Sequence, residues 1–162
     1  MPDRLAKDIM IPLSEYAAVN VTDSLKDAIR ILKESLPIGH RTLAVLDDKG
    51  DLAGFLTTRT ILKALGVYGI DEDAWNRIAW GTFFSRIEKN RLKYQGLSKI
   101  MRPVVNIFVH EDSSLHEVTQ VILKNQINHI PVYNKQKKVT GIIRTIDILD
   151  TLADLLDIQN QK

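Results

Sequence analysis

The sequence predicts a mixed α/β fold made of two tandem β-α-β-β-α units with a further helix inserted between them. Three observations carry that expectation. First, Val45 to Leu65 aligns without a gap on Val132 to Leu152, with identities at Val45/Val132, Gly54/Gly141, Thr58/Thr145, Ile61/Ile148, Leu62/Leu149 and Leu65/Leu152. Second, the segment heads match, Ile9-Met10-Ile11-Pro12 with Ile100-Met101-Arg102-Pro103 and Ser24-Leu25-Lys26-Asp27 with Ser114-Leu115-His116-Glu117. Third, each copy presents its strand and helix signals in the same order. A unit of this size buries little apolar surface alone, so two are expected to pack together.

Each element follows from its own residues. An extended segment opens each copy, at Ala18 to Val21 and at Val105 to Val109. Ser24-x-x-Asp27 and Ser114-x-x-Glu117 are capping-box patterns that start a helix. Leu25, Ala28, Ile29 and Leu32, then Leu115, Val118 and Ile122, continue it at helical spacing. A hairpin comes next. Thr42 to Leu46 turns through Asp47-Asp48-Lys49-Gly50 and returns as Leu52 to Thr57, and Ile130 to Tyr133 turns through Asn134-Lys135-Gln136-Lys137 and returns as Val139 to Arg144. A second helix closes each copy, with Ile61, Leu62 and Leu65 on one, and Ile148, Leu149, Leu152 and Leu156 on the other. Residues 1–66 form the first repeat, 67–96 a linker and 97–162 the second repeat.

The linker is not linker-like in composition. Six of the chain's ten aromatic residues lie between Tyr68 and Tyr94. Asp71 can cap a helix that carries Trp75, Ile78, Thr82 and Phe83 on one line and Trp80, Phe84 and Ile87 on another. A helix apolar on two sides needs two surfaces to cover it. It either packs across its own repeats or forms a subunit interface, where aromatics and arginine are enriched.

Composition excludes several classes of function. The chain of 162 residues is 44% hydrophobic and 26% charged, with a net charge of +2. That charge does not make a nucleic-acid footprint, which needs clustered Lys and Arg. The basic run Arg86, Lys89, Arg91 and Lys93 reads first as a solvated face. No stretch approaches the roughly 18 apolar residues of a membrane span, and the start has no apolar run of a signal peptide. A cytoplasmic protein is expected. The absence of cysteine removes disulfides and thiolate sites. His40, His110, His116 and His129 show no paired metal-ligand spacing. No nucleophile elbow or glycine fingerprint occurs, so no catalytic residue is nominated and no cofactor is required.

The order of short words in the two copies resembles the cystathionine-beta-synthase-type repeats known as CBS domains. Ile130-Pro131-Val132-Tyr133, Gly141-Ile142-Ile143 and Asp147-Ile148-Leu149 fit that pattern closely. The first copy fits less closely, with Leu43-Ala44-Val45-Leu46 and Gly54-Phe55-Leu56-Thr57. The resemblance covers roughly residues 4–66 and 97–157. It implies that the repeats pack about a pseudo-twofold axis, leaving two clefts. It implies that a cleft holds an adenine nucleotide (AMP, ADP or ATP) or S-adenosylmethionine. It further implies a homodimer that signals to a regulated protein partner.

The resemblance also points to a run, Gly-x-x-Thr/Ser-x-x-Asp, where strand becomes helix. A helix N-terminus and a hydroxyl suit phosphate, and a carboxylate suits the ribose hydroxyls. The first copy reads Gly54-Phe55-Leu56-Thr57-Thr58-Arg59-Thr60, keeping the hydroxyl at Thr57 but placing Thr60 where the acid is expected. The second reads Gly141-Ile142-Ile143-Arg144-Thr145-Ile146-Asp147, keeping Asp147 but placing Arg144 where the hydroxyl is expected. A guanidinium can bond phosphate bidentately, which ranks the second site first. Ligand contacts are therefore expected at Asp147, Arg144 and Thr145, with Ile130, Pro131 and His129 near the base, and secondarily at Thr57 and Thr60. The structural alternatives are that Asp147 only stabilises a helix, a surface dipole effect of about 0.3–1 kcal/mol, and that Thr58 and Thr145 are N-caps. His129 is then a packing residue. A module of the same fold with degenerate clefts, serving as an interaction scaffold, is the competing function.

Overall fold

The computed structural model describes residues 4–67, 96–104 and 106–156. In chain order these form α1 (Ala6–Ile9), β1 (Ile11–Pro12), β2 (Ala18–Asn20), α2 (Leu25–Ser35), β3 (Thr42–Leu46), β4 (Leu52–Thr57) and α3 (Thr58–Val67). They continue with β5 (Arg102–Pro103), β6 (Val109–His110), α4 (Leu115–Asn125), β7 (His129–Tyr133), β8 (Val139–Arg144) and α5 (Thr145–Leu155). Short 3-10 turns occupy Leu13–Glu15, Leu36–Ile38 and Gly96–Lys99. The β-α-β-β-α order expected from the repeats is present twice. Of the expected opening strand at Val105 to Val109, Val105 lies outside the described residues, and among the others pairing begins at Val109. The aromatic linker helix expected around Trp75 lies outside the described residues.

Contacts divide the chain into two compact units, residues 17–104 and residues 1–16 with 105–162. In the unit of residues 17–104 the strand order is β2-β3-β4-β5. β2 runs parallel to β3, and the remaining pairs are antiparallel. One core cluster joins Leu25, Ala28 and Leu32 of α2 to Leu43, Val45 and Leu56 of the sheet, with Ile61 of α3 and Leu97. In the other unit the order is β1-β8-β7-β6, with β6 parallel to β7. Its core joins Val118 and Ile122 of α4 to Ile130, Val132 and Ile143, with Ile148 of α5 and Ala6 of α1.

The sequence repeats and the compact units do not coincide. The Ile-Met-x-Pro head that opens the first repeat supplies β1, which pairs with β8 of the second. The head that opens the second supplies β5, which pairs with β4 of the first. Both heads lie over a glycine. A Cβ built on Gly54 would stand 2.5 Å from the Arg102 carbonyl oxygen and 2.8 Å from Met101 Sδ. One built on Gly141 would stand 2.5 Å from Met10 Sδ and 2.8 Å from the Ile11 carbonyl oxygen. Glycine is required at both because the backbones approach too closely for a side chain.

The caps and turns follow local chemistry. Asp27 N–H donates to Ser24 Oγ at 3.1 Å, and Ser24 Oγ donates to the Asp27 carboxylate at 2.9 Å. In α4, Glu117 N–H donates to Ser114 Oγ at 3.1 Å. Both hairpin turns are built on one side-chain oxygen. Asp47 Oδ1 accepts from the N–H groups of Lys49 and Asp51, and Asn134 Oδ1 accepts from those of Gln136 and Lys138. The left-handed residue that ends each turn is Gly50 at φ +79° in the first copy and Lys137 at φ +59° in the second.

Candidate nucleotide site at the strand-to-helix turns

The two turns share a backbone path and differ in what their side chains do with it. In the first copy, Thr57 N–H donates to Thr60 Oγ1 at 2.8 Å and Thr60 N–H donates to Thr57 Oγ1 at 3.1 Å. Thr60 Oγ1 also donates to the Thr57 carbonyl at 2.9 Å. This reciprocal pattern is a capping box in which Thr57 is the cap and Thr60 its N3 partner. Both side chains are half-buried. The Thr60 hydroxyl has spent its single proton on the Thr57 carbonyl.

In the second copy the same relationship is carried by a charged pair. Arg144 N–H donates to Asp147 Oδ2 at 2.8 Å, replacing the Thr57-to-Thr60 bond. The guanidinium then folds onto the same carboxylate, with Nε donating to Oδ2 at 3.0 Å and Nη2 to Oδ1 at 2.7 Å. Such a fork is among the stronger side-chain interactions because both partners are ionised and geometrically matched. The side chains are 20% and 11% exposed, so water screens the pair only partly. The hydrogen bond from Arg144 to Asp147 holds the guanidinium pKa above its ordinary value, against the effect of burial.

The remaining expected residues fall into two groups. His129 faces Arg144 across the β7–β8 ladder, Ile130 faces Ile143 and Pro131 faces Ile142. Strand alternation puts Ile130 in the helix-side core, where it is fully buried among Val118, Ile122 and Ile143. Its side chain therefore lies on the opposite face from those of His129 and Pro131. Thr145 is exposed, and its N–H donates to the Asn128 carbonyl at 3.0 Å. The N-cap reading of Thr58 and Thr145 is corrected: both are the first helical residue, and the cap positions are Thr57 and Arg144. The reading of Asp147 as a surface dipole contact is also too small, since its carboxylate accepts three bonds from Arg144.

Tyr16 is a neighbour that local sequence reasoning missed. It follows the Leu13–Glu15 turn, which packs against β8, and it is buried. Burial pushes its hydroxyl up to about 12, with the Arg144 charge opposing that rise and the Asp147 charge adding to it. Only the docking of the N-terminal head on β8 brings it here, so no spacing within the second repeat signals it. Among the described residues no group of three or more His, Asp or Glu is placed to hold a metal ion. No helix among them is long and apolar enough to cross a membrane.

Comparison with known proteins adds three findings. A family model described as CBS domain matches residues 6–67 and 97–154. The uncharacterized protein MJ1004 of Methanocaldococcus jannaschii is 28% identical over 145 residues, which cover 88% of this chain and 55% of that protein. The chain thus spans about half the length of that relative. Among solved structures, CBSX2 in complex with AMP matches with a TM-score of 0.67 at 19% identity, over 94% of this chain and 98% of that one. The CBS domain pair of protein MJ0100, in complex with 5′-methylthioadenosine and S-adenosyl-L-methionine, matches with a TM-score of 0.65 at 23% identity, over 95% and 99%. These two structures share the fold.

Proposed function

The chain belongs to the CBS domain family, and from that premise we propose that it is a regulatory ligand-sensing module that binds an adenine nucleotide and passes its occupancy to a protein partner. The observation that carries the reading is Asp147, an ionisable, largely buried carboxylate at the turn that opens α5. A carboxylate there is suited to the ribose hydroxyls. Two solved structures of the same fold hold adenosine-containing ligands, which supports this class of ligand. The second copy ranks above the first because Thr57 and Thr60 bond each other and carry no charge.

The test is a thermal-shift and calorimetry screen of AMP, ADP, ATP and S-adenosylmethionine. Ligand at about 100 times its dissociation constant should stabilise the fold by about 2.7 kcal/mol. If none binds at millimolar concentration, the scaffold reading takes its place. The closed bonding of the first turn favours that reading for its own half. We read the module as non-catalytic, so ATP and S-adenosylmethionine should remain intact on incubation. We also propose a homodimer. On one side of α5, Ile146, Leu149, Leu152 and Leu156 are exposed and offer an apolar surface for a second copy. Light scattering that returned the 18.4 kDa monomer across micromolar concentrations would contradict the homodimer.

A further inference from the structure

We propose that Arg144 acts as a selectivity latch on Asp147, so that a ligand must bring its own anion to gain the carboxylate. The inference rests on the nucleotide reading and deepens it, by separating phosphorylated nucleosides from nucleosides without phosphate.

The two contacts compete for the edge of the carboxylate that the guanidinium fork occupies. A ribose ring offers two hydroxyl donors, and Asp147 is the carboxylate proposed to accept them. Both of its oxygens already accept from the guanidinium, Oδ1 from Nη2 at 2.7 Å and Oδ2 from Nε at 3.0 Å. Oδ2 additionally accepts from Arg144 N–H. A hydroxyl that takes either oxygen in the same direction displaces a charge-assisted bond. A neutral hydroxyl is the weaker donor of the two. The largely buried setting also makes a guanidinium left without an anion costly. A nucleoside alone gives Arg144 nothing in return. A phosphate does, because its oxygens match the same planar fork. As the guanidinium turns to phosphate, the carboxylate is released to the ribose, and the two halves of the ligand bind cooperatively. The backbone bond from Arg144 N–H holds Asp147 in place throughout, so the turn need not unfold. The first copy has no such device, since neutral Thr57 occupies the corresponding position.

The latch therefore disfavours adenosine, which carries a ribose but no anion. For adenosine it predicts a gain of affinity on loss of Arg144, where a simple phosphate contact predicts no change. Calorimetry with AMP and with adenosine should be run on the full chain and on Arg144→Met, which keeps an apolar stem. Arg144→Thr, which restores a hydroxyl, serves as the second variant should the first melt early. The expected result is that AMP binding weakens by about 10-fold or more while adenosine binding tightens by about 5-fold or more. Adenosine affinity that is unchanged or weaker in both variants, with AMP weakened, overturns the latch and leaves the nucleotide reading intact. Absence of AMP binding by the wild-type chain overturns both.

Discussion

The Thr57–Thr60 turn and the Arg144–Asp147 turn solve one backbone problem in two ways. Each must satisfy the amide of the cap residue, and each does so with the side chain three residues on. The first uses neutral hydroxyls, each accepting from the backbone N–H of the other residue. The second uses a carboxylate and adds a guanidinium from the cap residue itself. A helix start can thus be conserved in geometry while its chemistry diverges. In the second copy, the group that stabilises the turn is also the group we propose for the ligand. On that proposal, stability and binding are linked at Asp147 and unlinked at Thr60.

The comparison is sharpened first at the glycines beneath the exchanged heads. Gly54→Ala and Gly141→Ala should each destabilise by about 1–3 kcal/mol, the range for forcing extra volume into a packed site. Gly54→Ala should be the more costly. Its nearest obstacle is the Arg102 carbonyl at 2.5 Å, which cannot swing away, whereas the backbone obstacle at Gly141, the Ile11 carbonyl, stands farther off at 2.8 Å and the nearest atom belongs to the Met10 side chain. Urea unfolding of the two variants measures the order. Equal and negligible losses would mean that the heads do not sit over these glycines.

Next comes the capping pair itself. Asp147→Ala removes the acceptor of a charged fork and strands a largely buried guanidinium, so it should cost about 1–3 kcal/mol. Thr60→Ala removes a neutral partner from the equivalent cap and should cost about 1 kcal/mol. Matched thermal melts test the difference. A smaller loss at Asp147 than at Thr60 would show that the ion pair contributes little to the fold.

A smaller effect is expected at the hairpin turns. Lys137 holds a left-handed conformation at φ +59° in the place where the first copy has Gly50 at φ +79°. Lys137→Gly should stabilise by about 0.5–1 kcal/mol, the steric relief less the added chain entropy. Gly50→Ala should destabilise, although nothing lies within 4 Å of its Cβ position, because the conformation alone opposes it. A shift of melting temperature in the same direction for both would break the equivalence of the two turns.

What could be read from the sequence was local. The capping serines Ser24 and Ser114, both hairpins and the turn residues Asp47 and Asn134 depend on neighbours within a few positions, and they form as expected. Asp147 was legible as a candidate only through the family resemblance, whose short run ends on an acid at this position. The exchange of heads was not legible, since Ile11 pairs with Ile142 across most of the chain. With it went the place of Tyr16. Nor was the bonding of Arg144 to Asp147 apparent, because the two were read as separate contacts for phosphate and ribose. Ile130 was expected near the base, and strand alternation turns its side chain into the helix-side core. The structure has no bearing on the expected aromatic helix, since Trp75 and its neighbours lie outside the described residues.

The central claim is that the second copy carries the ligand through Asp147. The most direct measurement is AMP affinity by calorimetry for wild type, Asp147→Ala and Thr60→Ala, at a temperature where all three are folded. Loss of hydrogen bonds to a charged acceptor, about 1.5–3 kcal/mol, should weaken AMP binding by roughly 10- to 100-fold in Asp147→Ala. Thr60→Ala should bind as wild type does. Wild-type affinity in Asp147→Ala, or the larger loss in Thr60→Ala, would contradict the claim.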